Sequence, residues 1–132
     1  IEQKNGAMIF GIGTDLVDVE RVAEKMEKKE GFRELVFSAH EIAHCETMGH
    51  KYEHYAARFA AKEAFLKALG TGWRNGTAFN EIEIYNDREG KPELRLLDTT
   101  ANTIAGLNLG KISVSLSHVK TMACAMVIIE TI

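Results

Sequence analysis

Two carboxylates stand out by the company they keep. Asp15 ends Gly11-Ile12-Gly13-Thr14-Asp15, and Glu63 lies within Arg58-Phe59-Ala60-Ala61-Lys62-Glu63-Ala64-Phe65-Leu66-Lys67-Ala68-Leu69. At about 100° per residue, Ala56, Ala57, Ala60, Ala61, Ala64 and Ala68 cover one side of a helix, and Phe59, Phe65, Leu66 and Leu69 spread over the other. A helix apolar nearly all round belongs in an interior, yet this one carries Arg58 with Lys62 in one stripe and Glu63 with Lys67 in another. Buried charge is expensive unless paired or bound to a metal or ligand. An i,i+4 Glu63–Lys67 pair worth a few tenths of a kcal/mol is one reading; a carboxylate and cations holding a metal and phosphates is the other. On strand alternation Asp15 shares a face with Ile9, Gly11 and Gly13, which leaves room for a close ligand or another backbone. One or two carboxylates completed by phosphate and water is the usual way to hold Mg²⁺. Gly70-Thr71-Gly72 adds amides and a hydroxyl beyond the helix, in a pattern that suits a cap and matches no P-loop.

A competing motif is His40-Glu41-Ile42-Ala43-His44, which fits H-E-x-x-H, with His50 six residues on. Histidines at i,i+4 share a helix face and could bind Zn²⁺, with Glu41 as general base of a peptidase. The extended motif needs glycine where Thr47 stands, and Ser38-x-x-Glu41 already has capping-box spacing. Zinc chemistry is therefore the alternative reading. Ser115, Ser117 and His118 end one arm of the last hairpin, where a histidine becomes an acid, base or phosphate contact only if that mouth faces a site.

These residues must be placed by a chain of 132 residues that is 45% hydrophobic and 27% charged, the composition of one globular domain. The formal net charge of −3 excludes a generally basic nucleic-acid binder. Two cysteines are too few for a disulfide framework, so a reducing cytoplasm is expected. No apolar run is long enough to span a bilayer, and Ile1–Ala7 read as an expression remnant before a natural start at Met8. Met8–Thr14 is expected as a strand, followed by a helix from Asp18 to Gly31 whose apolar residues Val19, Val22, Ala23 and Met26 share a face. A second helix opens at Ser38 and a third covers Tyr52–Leu69. Strands at Glu81–Tyr85 and Glu93–Leu97, a short helix at Thr100–Gly106, and the hairpin Lys111–Ser117 with Met122–Glu130 complete an α+β fold. Cys124 alternates with Met122, Met126 and Ile128 on a face expected to be core.

In combination these segments resemble the holo-[acyl-carrier-protein] synthases, the small class of 4′-phosphopantetheinyl transferases. Met8-Ile9-Phe10-Gly11-Ile12-Gly13-Thr14-Asp15-Leu16-Val17 is similar to the family's opening strand, and Arg58 to Gly72 to its signature helix and loop. Ile82-Glu83-Ile84, Asn86-Asp87, Gly90-Lys91-Pro92 and Val114-Ser115-Leu116-Ser117-His118 follow in order. The resemblance implies a cytoplasmic, Mg²⁺-dependent transfer of phosphopantetheine from coenzyme A to a serine of apo acyl carrier protein, in fatty acid biosynthesis. It implies that Asp15 and Glu63 hold Mg²⁺ and that Lys67 contacts phosphates. Glu63 or a metal-bound water would take the serine proton, with His118 as a further candidate. Arg58, Lys62, Gly70, Thr71, Gly72, Lys91, Pro92, Ser117 and His118 would bind coenzyme A, some from a neighbouring subunit of a trimer. Arg21, Lys25 and Lys28 on the first helix suit an acidic carrier protein.

Overall fold

The computed structural model describes residues 6–72 and 75–132; Ile1–Asn5 of the leading segment lie outside them. Strand β1 (Ile9–Asp18) leads into four helices, α1 (Val19–Glu27), α2 (Phe32–Val36), α3 (Ala39–Cys45) and α4 (Lys51–Leu69). A 3₁₀ turn at Phe79–Glu81 precedes the hairpin β2 (Ile82–Asn86) and β3 (Pro92–Leu96), then α5 (Asp98–Ala105) and the hairpin β4 (Leu109–His118) and β5 (Met122–Thr131). The sheets are an antiparallel β1-β5-β4 and the separate β2-β3 pair, the expected α+β arrangement. Among the described residues no helix is long and apolar enough to cross a membrane.

Helix α4 lies across the three-stranded sheet, and small residues set how close it comes. Ala60, Ala61, Ala64 and Ala68 meet Ala125, Val127 and Ile129 in the main core. The space left by the β1 glycines is filled by α4 backbone: a Cβ on Gly13 would overlap the Ala64 carbonyl oxygen, and one on Gly11 that of Ala68. A methyl there must push a helix off a sheet, so Gly13→Ala is expected to lower stability by at least about 1–3 kcal/mol. A denaturant midpoint equal to that of the parent would contradict this packing.

Two boundaries and one buried face differ from expectation. β1 runs on to Asp18, because its pairing continues through Leu16↔Cys124 to Asp18↔Met122, so Asp15 stands mid-strand rather than at the end. Asp18 does cap α1, its carboxylate accepting from Glu20 N at 3.0 Å. That helix stops at Glu27, with Lys29 at φ 53° and Gly31 at φ 93° turning the chain into the short α2. The face expected to be core on β5 is the outer one: Ala123, Ala125, Val127 and Ile129 are buried under α4, while Cys124, Met126 and Ile128 point the other way. With Ile12 and Leu16 of β1, exposed by 58% and 65%, they leave an apolar sheet face uncovered.

Candidate active site

Glu63 and Lys67 project from α4 toward β1, where Asp15 faces them. Lys67 Nζ donates to Asp15 Oδ1 at 3.0 Å and to Thr14 O at 3.1 Å, so the ammonium spans helix and strand with one N–H left over. Asp15 and Glu63 both line a cavity of about 330 Å³, with Leu16, Val22, Phe32 and Phe59 as its apolar walls. Arg21 and Lys25 of α1 line it too, whereas Lys28 does not. Burial raises the Glu63 pKa; the Asp15 carboxylate raises it further and Lys67 opposes both.

Two carboxylates sharing a cavity are oxygen donors for a hard divalent cation. The mutual repulsion that raises Glu63 is what such a cation would relieve, so the residues present fit Mg²⁺. Without metal, that repulsion is a stability penalty. A carboxyl raised in the folded state binds protons more tightly there than when unfolded, so stability falls as pH climbs from the unfolded to the folded value. In chelator, Glu63→Gln is therefore expected to melt above the parent at neutral pH, with the gain vanishing below the ordinary carboxyl range. A parent that melts higher at pH 7 would overturn that electrostatic picture.

A second cluster lies around on the helix. Arg58 precedes Glu63 by five residues, about 7.5 Å along the axis and about 140° around it. Its residue is 3% exposed, and Nε has no hydrogen-bond partner. Nearby are His54 and His44, whose rings lie 6.4 Å apart, and His118, 5.0 Å from His54. Burial lowers the pKa of His54 and of His44, and Arg58 lowers both further. An orphaned guanidinium nitrogen among imidazoles is a place for an anion.

The remaining candidates are dispersed. Ser117 and His118 are consecutive in β4, so they point to opposite faces of the sheet. Lys91 and Pro92 sit at the tip of the β2-β3 hairpin, Lys91 pairing with Glu93 at 3.4 Å. Gly70 caps α4 at φ 84°, and Thr71 and Gly72 (φ 62°) are exposed just beyond it. None of these residues lines the Asp15–Glu63 cavity.

Lys62 is a correction. It is fully buried, donating to Glu41 Oε1 at 2.8 Å, to Phe79 O at 2.9 Å and to Ile82 O. All three of its N–H groups are used inside the protein, so nothing remains for coenzyme A. Burial lowers the pKa of this ammonium, and Glu41 opposes the fall. The same contacts remove the zinc reading. Glu41 is fully buried and accepts from Ser38 N at 2.9 Å, Lys62 Nζ and Ile84 N at 2.8 Å, which closes the capping box and leaves no oxygen for a general base. His40 and His50 are exposed, and among the described residues no group of three or more His, Cys, Asp or Glu is arranged to hold a metal.

Sequence reasoning missed Phe32 as a cavity wall, because the five-residue α2 is too short to announce itself by periodicity. It also missed Glu53, which pairs with His118 at 2.8 Å; the only signal was a carboxylate five residues before Arg58.

A family description of the 4′-phosphopantetheinyl transferase superfamily matches residues 11–123. The chain is 45% identical over 126 residues to a holo-[acyl-carrier-protein] synthase of Geobacter metallireducens, covering 95% of this chain and 100% of that protein. It is 34% identical to the crystal structure of the Neisseria meningitidis holo-[acyl-carrier-protein] synthase, with a TM-score of 0.86 over 94% of this chain and 100% of that one. The Helicobacter pylori synthase, solved in complex with coenzyme A, is 29% identical with a TM-score of 0.79 over 89% of this chain and 98% of its own. With both the match along the sequence and the shared fold nearly complete, the chain belongs to the 4′-phosphopantetheinyl transferase superfamily.

Proposed function

We propose that the chain transfers 4′-phosphopantetheine from coenzyme A to a serine of an apo acyl carrier protein, releasing adenosine 3′,5′-bisphosphate, for fatty acid biosynthesis in the cytoplasm. The observation that carries this reading is the meeting of Asp15, held by Lys67, with Glu63 at one cavity edged by Arg21 and Lys25. Phosphoryl transfer asks for positioning and neutralisation of negative charge rather than covalent help from the protein. The serine oxygen attacks the phosphorus nearer the pantetheine, and the bond from that phosphorus to the bisphosphate breaks. The hydroxyl proton passes to the Glu63 carboxylate, which lines the same cavity. Lys67 offers its remaining N–H to the phosphates. Mg²⁺, held by Asp15 and Glu63, would supply charge neutralisation on the leaving bisphosphate. Arg21 and Lys25, with Lys28 just past the end of the same helix, give an acidic carrier its docking surface beside the cavity.

Arg58, His118, Ser117, Lys91 and Pro92 are assigned to coenzyme A, with Gly70, Thr71 and Gly72. Within one chain Arg58 and His118 stand apart from Glu63, so His118 is given the coenzyme rather than the serine proton. A homotrimer that sets one chain's carboxylates against a neighbour's cationic cluster would join the halves. The uncovered apolar face of β1 and β5 supports such an assembly.

Incubation with coenzyme A, Mg²⁺ and an apo carrier protein is expected to add one phosphopantetheine mass to the carrier, read by mass spectrometry. Light scattering is expected to give three times the chain mass. An unmodified carrier would refute the activity, and coenzyme A binding without bisphosphate release would mark a binding module instead. A monomer that is fully active would refute the shared site.

A further inference from the structure

The first turn of α4 carries a carboxylate to which the proposed transfer gives no role. Glu53 has a side chain only 16% exposed, set between two imidazoles. Its Oε1 lies 2.8 Å from His118 Nδ1, and its Oε2 lies 3.9 Å from His50 Nδ1. An ionised carboxylate can only accept, so the shorter contact requires the proton of His118 to be on Nδ1. The other charged and titratable groups around His118 are few. His54 meets it from α4 with ring centroids 5.0 Å apart, His44 and Arg58 stand behind His54, and Lys120 shares a hollow with Glu53 and His50. The other members of this group are cations or imidazoles, so Glu53 is the carboxylate that holds the His118 ring in place.

We propose that Glu53 is a positioning residue for His118, holding the ring by Nδ1–H so that its far nitrogen, Nε2, is presented to an anionic oxygen of coenzyme A. This rests on the reading of His118 as a coenzyme contact. The chemistry follows from the two nitrogens: with Nδ1 protonated, a neutral ring offers only a lone pair at Nε2, which repels phosphate. Only the imidazolium donates from both ends. A carboxylate at one nitrogen fixes the tautomer and orients the ring, as it does where histidines bind metals or take protons.

The test compares the parent with Glu53→Gln, His118→Ala and the double variant. Glutamine keeps the size and an acceptor oxygen but loses the charge. By ¹⁵N-resolved NMR of the free protein, His118 is expected to carry its proton on Nδ1 in the parent and to lose that tautomer preference in Glu53→Gln. The KM for coenzyme A should rise several-fold with kcat little changed. Adding Glu53→Gln to His118→Ala should then change nothing further. Should His118→Ala leave that KM unaltered, the coenzyme reading of His118 fails and the positioning role goes with it. Should His118→Ala raise KM while Glu53→Gln moves neither the tautomer nor KM, the positioning role alone is overturned. A KM that rises in Glu53→Gln with an unmoved tautomer also overturns it, since the effect then does not pass through the ring of His118.

Discussion

Glu63→Ala is expected to lower carrier modification by roughly 10³-fold or more, within the span of losing a general base and an electrostatic stabiliser together. The fold should survive, because Glu63 is only partly buried and lines the cavity rather than the core. Removing it takes away the like-charge repulsion with Asp15 and leaves no partner orphaned, since Lys67 keeps its bonds to Asp15 and Thr14. The measurement is the rate of mass gain by the carrier, beside circular dichroism and thermal melting of the variant. Glu63→Gln separates two contributions: it preserves shape but neither accepts the serine proton nor offers a charged oxygen. Equal losses in both variants would place the whole effect on the charge. A variant that modifies the carrier at near-parental rate, folded or marginally so, would remove Glu63 from the reaction.

Much of this site was legible because its parts repeat simple periods. The alanines of α4 at helical spacing announced a helix pressed against something flat, and Gly11 and Gly13 on one strand face announced where the pressing occurs. Asp15, sharing that face, had to look toward α4 wherever the strand ended, so the meeting with Glu63 survived a boundary placed four residues short. What stayed hidden was the choice of face on β5. Met122, Cys124, Met126 and Ile128 are the bulkier alternate set, yet Ala123 and Ala125 lie inward because small side chains there admit α4 at that distance. Hydrophobicity alone cannot make that choice when both faces are apolar. Lys62 was misread for a related reason. Its stripe with Arg58 was plain, but the acceptors that consume it, Glu41, Phe79 O and Ile82 O, are 17 to 21 residues away in sequence, and no local pattern points to them.

Lys62→Met is expected to destabilise the protein by about 3–5 kcal/mol, the range for breaking a buried ion pair from one side. Glu41 would keep its bonds from Ser38 N and Ile84 N but carry an uncompensated charge at zero exposure, and the carbonyls of Phe79 and Ile82 would lose their donor. That is a large share of a domain's total stability, commonly about 5–15 kcal/mol, and should lower Tm by on the order of 10 °C or more. The pair also ties α3, α4 and β2 together, and the neighbouring Glu83 extends the tie by accepting from Ser38 Oγ at 2.6 Å and Arg95 Nε at 2.5 Å. Adding Glu41→Gln to Lys62→Met removes the stranded charge while leaving an acceptor for Ser38 N and Ile84 N. The double variant should therefore melt above Lys62→Met alone, the sign of coupling that a contact pair gives and independent sites do not. At a temperature where both remain folded, the KM for coenzyme A should stay near the parental value in each. A Lys62→Met protein with unchanged Tm and a raised KM would mean instead that the ammonium leaves its interior partners to reach the coenzyme.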